Sequence, residues 1–436
     1  MKNYDIARKQ IGIMLLAILL FFSVFNARAQ WTGMRGGFIW IFENTKDITK
    51  LQASFANFEN FISENIIGRE KFVEFYAYLQ KLMGKQEIDN FGLIRDTNGQ
   101  MVYGEFDPED LRGIGVKEAA RRVWRLQQAV ADRETKVFFL NPPAMHISGE
   151  RKYPPGMPRQ DVNHRQDAFL YWLNHFNIDY LDLRETLARR DIPVEDYFYA
   201  TDHHWRIGTA FAAFADLIDW MDRYYGAGLD QNDFFKNRNN YHSKIYKNAS
   251  LGSMGRRTGI VYSGLDDFEV IWPRFDEYTN FTYIGRFTEA ERRVQRSGPF
   301  TESLLYPAVL QTSQPYQTDF YSVYHSGIKS HEKIINHMNS QAPRLLMIRD
   351  SFCLPLGAFM APMFSEIHML WPVSGELRLN IEEYIRENDF DYILVELSET
   401  GLFVDNFYWF PEPFEGEEAY AEWEIWIKNL RSSQGA

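Results

Sequence analysis

Cysteine is nearly absent from this chain: Cys353 is the only one among 436 residues, so no intramolecular disulfide can form. Positive charge is also short. Lysine and arginine number 47 against 59 aspartates and glutamates, and the net charge of −12 repels nucleic acid and anionic lipid on average. No internal repeat or low-complexity block is visible, and the longest N-terminal apolar run falls short of the roughly 20 residues that span a bilayer as a helix. Eight of the histidines are scattered without a ligand spacing such as H-x-x-x-H, so the pattern supplies no metal site and no cofactor motif. What is present is apolar material, 45% of residues, enough for two or three average domains or one large α/β domain with insertions. The 16% of aromatic residues suits stacking on the apolar faces of sugar rings, and equally a large core.

Residues 1–29 read as an export segment. Lys2, Arg8 and Lys9 precede an uncharged run over 11–25, and Ala27-Arg28-Ala29 places small residues at a cleavage site. No cysteine stands near it, which excludes a bacterial lipoprotein. The expectation is an extracytoplasmic, periplasmic protein, its segment either cleaved as a signal peptide or kept as an N-terminal membrane anchor.

Beyond this segment, residues 30–90 are expected to form a helical cap. Within it Phe72, Phe75, Leu79 and Leu82 mark one face of a helix over 69–85. A hairpin follows, with 91–95 and 101–106 flanking Asn98-Gly99, a pair that accepts positive φ. Asp107-Pro108-Glu109 opens a helix whose stripe is Ala119, Val123, Leu126 and Val130. Strands at 136–140 and 179–183 enclose a helix over 166–176, and Phe211, Phe214, Leu217, Ile218 and Met221 mark another helical face. Periodicity fades over 225–343, expected to be an insertion or lid with some β structure, shaping the substrate groove and containing a flexible basic loop, Gly252 to Gly259. It returns as βαβαβ over 344–396, and an acidic, aromatic arm covers 403–436. Alternating strands and helices predict a parallel sheet with its site beyond the strands' carboxyl ends.

The most chemically loaded stretch is Thr201-Asp202-His203-His204-Trp205. In extended backbone Asp202 and His204 share a face, so the carboxylate can orient the imidazole as a general base. A metal cluster or a structural hydrogen-bond cluster are the other readings of the same letters. Ser351, between a buried strand and a helix start, is the candidate nucleophile; its bland alternative is an ordinary helix N-cap. Cys353 lies inside that helix and is a weaker candidate. Glu396 and Glu399 end the last strand, where they finish the sheet edge, pair as acids or bind substrate.

TDHHW, GSMGRRTG, IRDSF and FDYILVELSE, in this order, resemble the DHHW-motif and AlgJ/AlgX-like group of SGNH-hydrolase-like proteins, over roughly residues 90–400. The resemblance implies an α/β, flavodoxin-like SGNH domain over 91–402, with the catalytic order permuted so that Asp and His precede Ser. It places the catalytic roles on Asp202, His204 and Ser351, with Trp205 in the motif and His203 at a variable position. Arg349 stands where many of the wider class have glycine, and Asn141 is the guess for the missing block asparagine.

The implied activity is O-acetylation of an exported polysaccharide, with a membrane-bound O-acyltransferase as the partner supplying acetyl groups. Trp205, Asn141, Arg256 and Arg257 are then candidate substrate-binding residues, the arginines suiting an acidic glycan. The same residues would serve a carbohydrate esterase. A non-catalytic scaffold and a metal-dependent phosphoesterase are the remaining alternatives.

Overall fold

The computed structural model describes residues 65–104, 115–147, 151–157, 162–286, 293–311, 314–371, 381–399 and 402, and before these 13, 16, 20–43, 54–55, 57–59 and 61–62. Part of the export segment, the turn at 107–109 and the arm over 403–436 lie outside the described residues. The chain divides into two compact units, Met1–Leu79 and Gln80–Ala436.

The first unit is helical over 20–29, in α1 (Trp31–Glu43) and in most of α2 (Arg69–Leu82). Phe22 meets Phe72 edge-on, with ring centres 5.6 Å apart. The apolar stripe expected to be buried on α2 is open instead: Phe72, Phe75 and Leu82 are each more than half exposed. Spacing marks a helix face without saying what covers it. No described helix is long and apolar enough to cross a membrane.

The second unit begins with the three strands β1 (Glu87–Ile88), β2 (Leu93–Arg95) and β3 (Met101–Tyr103). The β2–β3 turn is the expected one. Gly99 has φ +90°, and Asp96 Oδ1 accepts the N–H groups of Asn98 and Gln100. The elements that follow are α3 (Val116–Ala129), β4 (Lys136–Asn141), α4 (Val162–His175), β5 (Asp179–Asp182), α5 (Ile207–Tyr225), β6 (Tyr241–Ser250), α6 (Ser253–Thr258), β7 (Asp266–Pro273), β8 (Phe281–Arg286), β9 (Val294–Gly298), β10 (His331–Asn336), β11 (Arg344–Arg349), α7 (Cys353–Met360), β12 (Glu366–Leu370), α8 (Ile381–Glu387) and β13 (Tyr392–Glu396).

The central sheet has the order β5-β4-β13-β11-β12-β10-β8-β9. Its first five strands are parallel and the last three are joined antiparallel. Counted from β11, the parallel strands read 2-1-3-4-5, the flavodoxin-like doubly wound order, with β4 and β5 carried to the front of the chain. This is the permuted α/β SGNH-like architecture expected from the motifs. Strand alternation feeds two cores. Val137, Phe139, Leu346, Ile348, Ile393 and Val395 share one with α3, α4 and α8. Phe138, on the opposite face, meets Trp220 of α5, and α5 packs on α7 through Phe211, Phe214 and Phe359. Each such side chain, fully buried, contributes about 1.5–3 kcal/mol.

Residues 225–343 contain the β structure expected of them, and only their flexible loop is corrected. β8, β9 and β10 extend the main sheet, β6 and β7 pair as a separate ribbon, and the segment expected to be a flexible basic loop is the helix α6.

Candidate active site

Order reversal in a doubly wound sheet opens a crevice between the two strands at the switch, here β11 and β13, at their carboxyl ends. Ser351 follows β11 at that point and precedes α7. The preceding Asp350 shapes the turn: its Oδ1 accepts the N–H of Phe352 at 2.9 Å, and its Oδ2 accepts the N–H of Ser398, after β13, at 2.8 Å. The nucleophile turn and the β13 loop are thus tied together.

The loop 198–205 enters α5, whose packing on α7 carries it to Ser351. Phe198 and Trp205 form an isolated antiparallel bridge at its base. Its tip is bent rather than extended, and Asp202 Oδ1 accepts the backbone N–H of His204 at 3.4 Å. The turn delivers what extended backbone was expected to deliver: His204 Nδ1 lies 3.0 Å from Asp202 Oδ1, and His204 Nε2 lies 2.6 Å from Ser351 Oγ. In the tautomer this geometry fits, Nδ1–H donates to the carboxylate and Nε2 accepts the serine O–H.

Electrostatics match that assignment. Burial pushes the Asp202 carboxyl up, but the charge of His204, followed by hydrogen bonds from His203 and His204, outweighs it and holds the group well below the usual range. Burial pulls the His204 imidazole down, and Asp202, with smaller help from Asp319 and Asp350, more than reverses this. His204 is therefore more basic than an ordinary imidazole. Cys353 is the opposite case, since burial first and Glu396 second push its thiol well up, which suppresses the thiolate a nucleophile needs.

Several supports carry no signal in local sequence pattern. Asp266, from β7, accepts the N–H groups of Ala200 and Thr201 and the Thr201 hydroxyl, fixing the start of the loop. Tyr321 stacks on His204 with ring centres 4.1 Å apart, and its hydroxyl accepts the Trp205 Nε1–H at 3.0 Å. Ser253 donates its N–H to Asp202 Oδ2 and its hydroxyl to Oδ1, both at 3.3 Å. Gly252 and Gly255 let α6 approach closely: a Cβ on Gly252 would lie 2.3 Å from Asp202 Cβ, and one on Gly255 would lie 2.9 Å from Thr201 Cβ. The GSMG segment is a buttress for Asp202.

The four residues expected to bind substrate are placed otherwise. Trp205 has no exposed surface and supports the loop from the core. Asn141 is fully buried, donating to Asp182 Oδ1 and accepting from Gln166 Nε2. Arg256 donates to the carbonyls of Leu251 and Thr318, and Arg257 pairs with Asp89 at 2.5 Å. Arg257 nonetheless keeps 47% of its side chain exposed. Arg349, at the variant glycine position, is buried and pairs with Glu332 of β10.

His203 Nδ1 lies 3.0 Å from both Asp202 Oδ1 and Ser253 Oγ. The donor atoms of Asp202, His203 and His204 fall within 4.8 Å of one another, a spacing a cation could use. Both Nδ1 atoms, however, converge on one carboxylate oxygen at hydrogen-bonding distance, and a cation there would have to replace those bonds. The arrangement present fits proton transfer.

A buried acid and base in line with the half-buried Ser351 hydroxyl, at the switch point, fit a serine-nucleophile site. Residues 104–245, about a third of the chain, match the family model described as SGNH hydrolase-like domain, acetyltransferase AlgX. The resemblance read from the motifs is thereby borne out at the level of family and fold. Bacillus cereus PatB1 with a sulfonyl adduct superimposes with a TM-score of 0.58 at 17% identity, over 74% of this chain and 99% of that one. A second PatB1 structure gives 0.56 at 16% identity, over 73% and 99%. A DHHW family protein from Eubacterium siraeum gives 0.48 at 18%, over 70% and 93%. At these identities the PatB1 likeness establishes a shared fold. No curated protein matches the sequence.

Proposed function

We propose that this protein is a serine-dependent O-acetyltransferase acting on an exported or cell-envelope polysaccharide through an acetyl-Ser351 intermediate. The observation that carries this reading is the continuous Asp202–His204–Ser351 hydrogen-bond chain at the sheet's switch point. The matched AlgX acetyltransferase model supports acetyl transfer as its chemistry.

In the first half-reaction His204 Nε2 takes the Ser351 proton as Oγ attacks the donor's acetyl carbonyl. With the Phe352 N–H held by Asp350 and the Leu354 N–H by the Ser351 carbonyl, the backbone N–H groups of Ser351 and Cys353 are the candidate donors to the oxyanion. Collapse expels the donor's alcohol, which leaves with the proton held by His204. In the second, a sugar hydroxyl gives its proton to His204 and attacks the acetyl-serine, and Ser351 recovers its proton on release. Exchange between alcohol esters is nearly balanced, so the enzyme's task is to orient the sugar and keep water out. The reading places the protein outside the cytoplasm, taking acetyl groups from a membrane-bound O-acyltransferase.

The test uses purified protein, a chromogenic acetyl ester and candidate glycans. Wild type is expected to form acetyl-enzyme and acetylated glycan, and S351A and H204A to form neither. Equal yields from wild type and S351A would sink the mechanism. Acetate release with no transfer to any glycan would make it an esterase.

A further inference from the structure

Glu399 lies near the turn that carries the nucleophile, and the mechanism above gives it no task. It follows β13, the strand next to β11, and its neighbour Ser398 is pinned to Asp350, the residue before Ser351. Its side chain is buried, with 6% exposure for the residue. Oε1 accepts the N–H of Met145 at 3.2 Å, whereas Oε2 is buried and has no hydrogen-bond partner. Buried polar atoms are nearly always partnered, so an unpaired carboxylate oxygen one residue beyond the Ser398–Asp350 tie points to a ligand that brings the missing donor. Asp350, His203 and Tyr103 are the titratable groups that face this carboxyl, and Met145 contributes only its amide. His203 keeps 27% of its side chain open, and the Tyr103 ring centre is 6.2 Å from it. The cluster therefore borders the open side of the Asp202–His204 pair.

We propose that Glu399 Oε2 accepts a hydrogen bond from a hydroxyl of the acceptor sugar, next to the hydroxyl that is acetylated, and so selects and orients the acceptor. The inference rests on the acetyl-transfer reading. Sugars carry vicinal hydroxyls, and holding one on a carboxylate leaves its neighbour to be presented to His204 and the acetyl-serine. The bond to the ionised group is charge-assisted. Burial, with a smaller push from the neighbouring Asp350, raises Glu399 to about 7 against the Met145 amide, its own backbone amide and His203. A hydroxyl donor favours the ionised form, so binding improves with rising pH: the acceptor KM falls as pH rises through about 7. Acetyl-serine formation involves no acceptor and does not use this contact.

The test compares full-length wild type with E399Q, which keeps an oxygen for the Met145 amide. It measures the burst of acetyl-enzyme from the chromogenic ester, and then transfer to cellotetraose, a mannuronate tetramer and an N-acetylglucosamine tetramer. For whichever acceptor wild type uses, E399Q is expected to raise KM about 10- to 100-fold, as loss of a charge-assisted bond does. The burst should change less than about threefold, and the fall of KM through neutral pH should disappear. An unchanged acceptor KM overturns the proposal. So does a proportional loss of both half-reactions, which would mark a structural role for the Met145 contact. Wild type that acetylates Ser351 but transfers to no glycan overturns it too, while wild type that forms no acetyl-enzyme overturns the acetyltransferase reading together with it.

Discussion

Replacing Gly252 with alanine tests whether the glycine-bearing segment exists to hold Asp202. Gly252 has φ −70°, which alanine adopts freely, so space alone is at issue. The new Cβ would lie 2.3 Å from Asp202 Cβ, 2.4 Å from Thr201 O and 2.6 Å from Asp202 Cα. Carbon contacts are comfortable from about 3.5 Å, so the loop or α6 must retreat by about 1 Å, with no flexible side-chain end to yield instead. The 3.3 Å bonds from Ser253 to Asp202 and the 3.0 Å bond to His204 would stretch together. Overpacking of this kind costs about 1–3 kcal/mol, and misplacing a catalytic group by about 1 Å costs about 100-fold in rate. The expected result is a folded protein whose Tm falls by a few degrees and whose acylation kcat/KM drops about 100-fold. Gly208→Ala is the control, since its Cβ meets only Glu269 Oε2 at 3.4 Å within α5. If G252A acylates like wild type, close approach is not what holds Asp202, and the buttress argument fails.

Asp202→Asn should keep the fold and reduce acetyl-enzyme formation by about 10³–10⁴, as loss of the orienting carboxylate does in the Ser-His-Asp template; a loss under tenfold would show that Asp202 does not orient the base. His203→Ala should slow acylation less than about tenfold and His204→Ala at least about a thousandfold, a contrast that steady-state rates on the chromogenic ester will measure. The imidazolium cannot take a proton, so acylation should be slow in acid and rise with pH through an inflection above the ordinary imidazole value of about 6.5. D202N should move that inflection downward, because the largest upward contribution goes while burial stays; a flat profile from pH 5 to 9 would contradict the assignment of His204 as base. Trp205→Phe removes the hydrogen bond to Tyr321 and should cost about 1 kcal/mol in urea unfolding, and an unchanged midpoint would show that the bond contributes nothing.

What the sequence declares, and what it hides, follows from the range of the interactions. The run over 344–396 is legible because strands buried on both faces stand as short apolar blocks between turns. β8 is not, because its buried side is Phe281, Tyr283 and Gly285 while Ile284 faces the other way, so the letters do not alternate as the burial does. Within the site, Asp202, His204 and Ser351 sit in compact motifs. Asp266 and Tyr321 join them from distant elements and belong to no local pattern. Asn141 shows the limit of the strand-end rule, which places a residue at the correct edge of the sheet but cannot foresee that Asp182, on the adjoining strand, will take its amide.

The GSMGRRTG segment changes most in meaning between sequence and structure. Two arginines among three glycines suggest a mobile basic loop reaching for an acidic sugar, a reading that treats glycine as flexibility. Here Gly252 and Gly255 serve close approach: α6 is helical, its serine bonds Asp202, and its arginines reach Leu251, Thr318 and Asp89. Arg256 is thus tied to two backbone carbonyls, while Arg257 keeps 47% of its side chain exposed. If Glu399 receives the acceptor as proposed, recognition draws instead on a carboxyl whose unpaired oxygen suits a neutral hydroxyl.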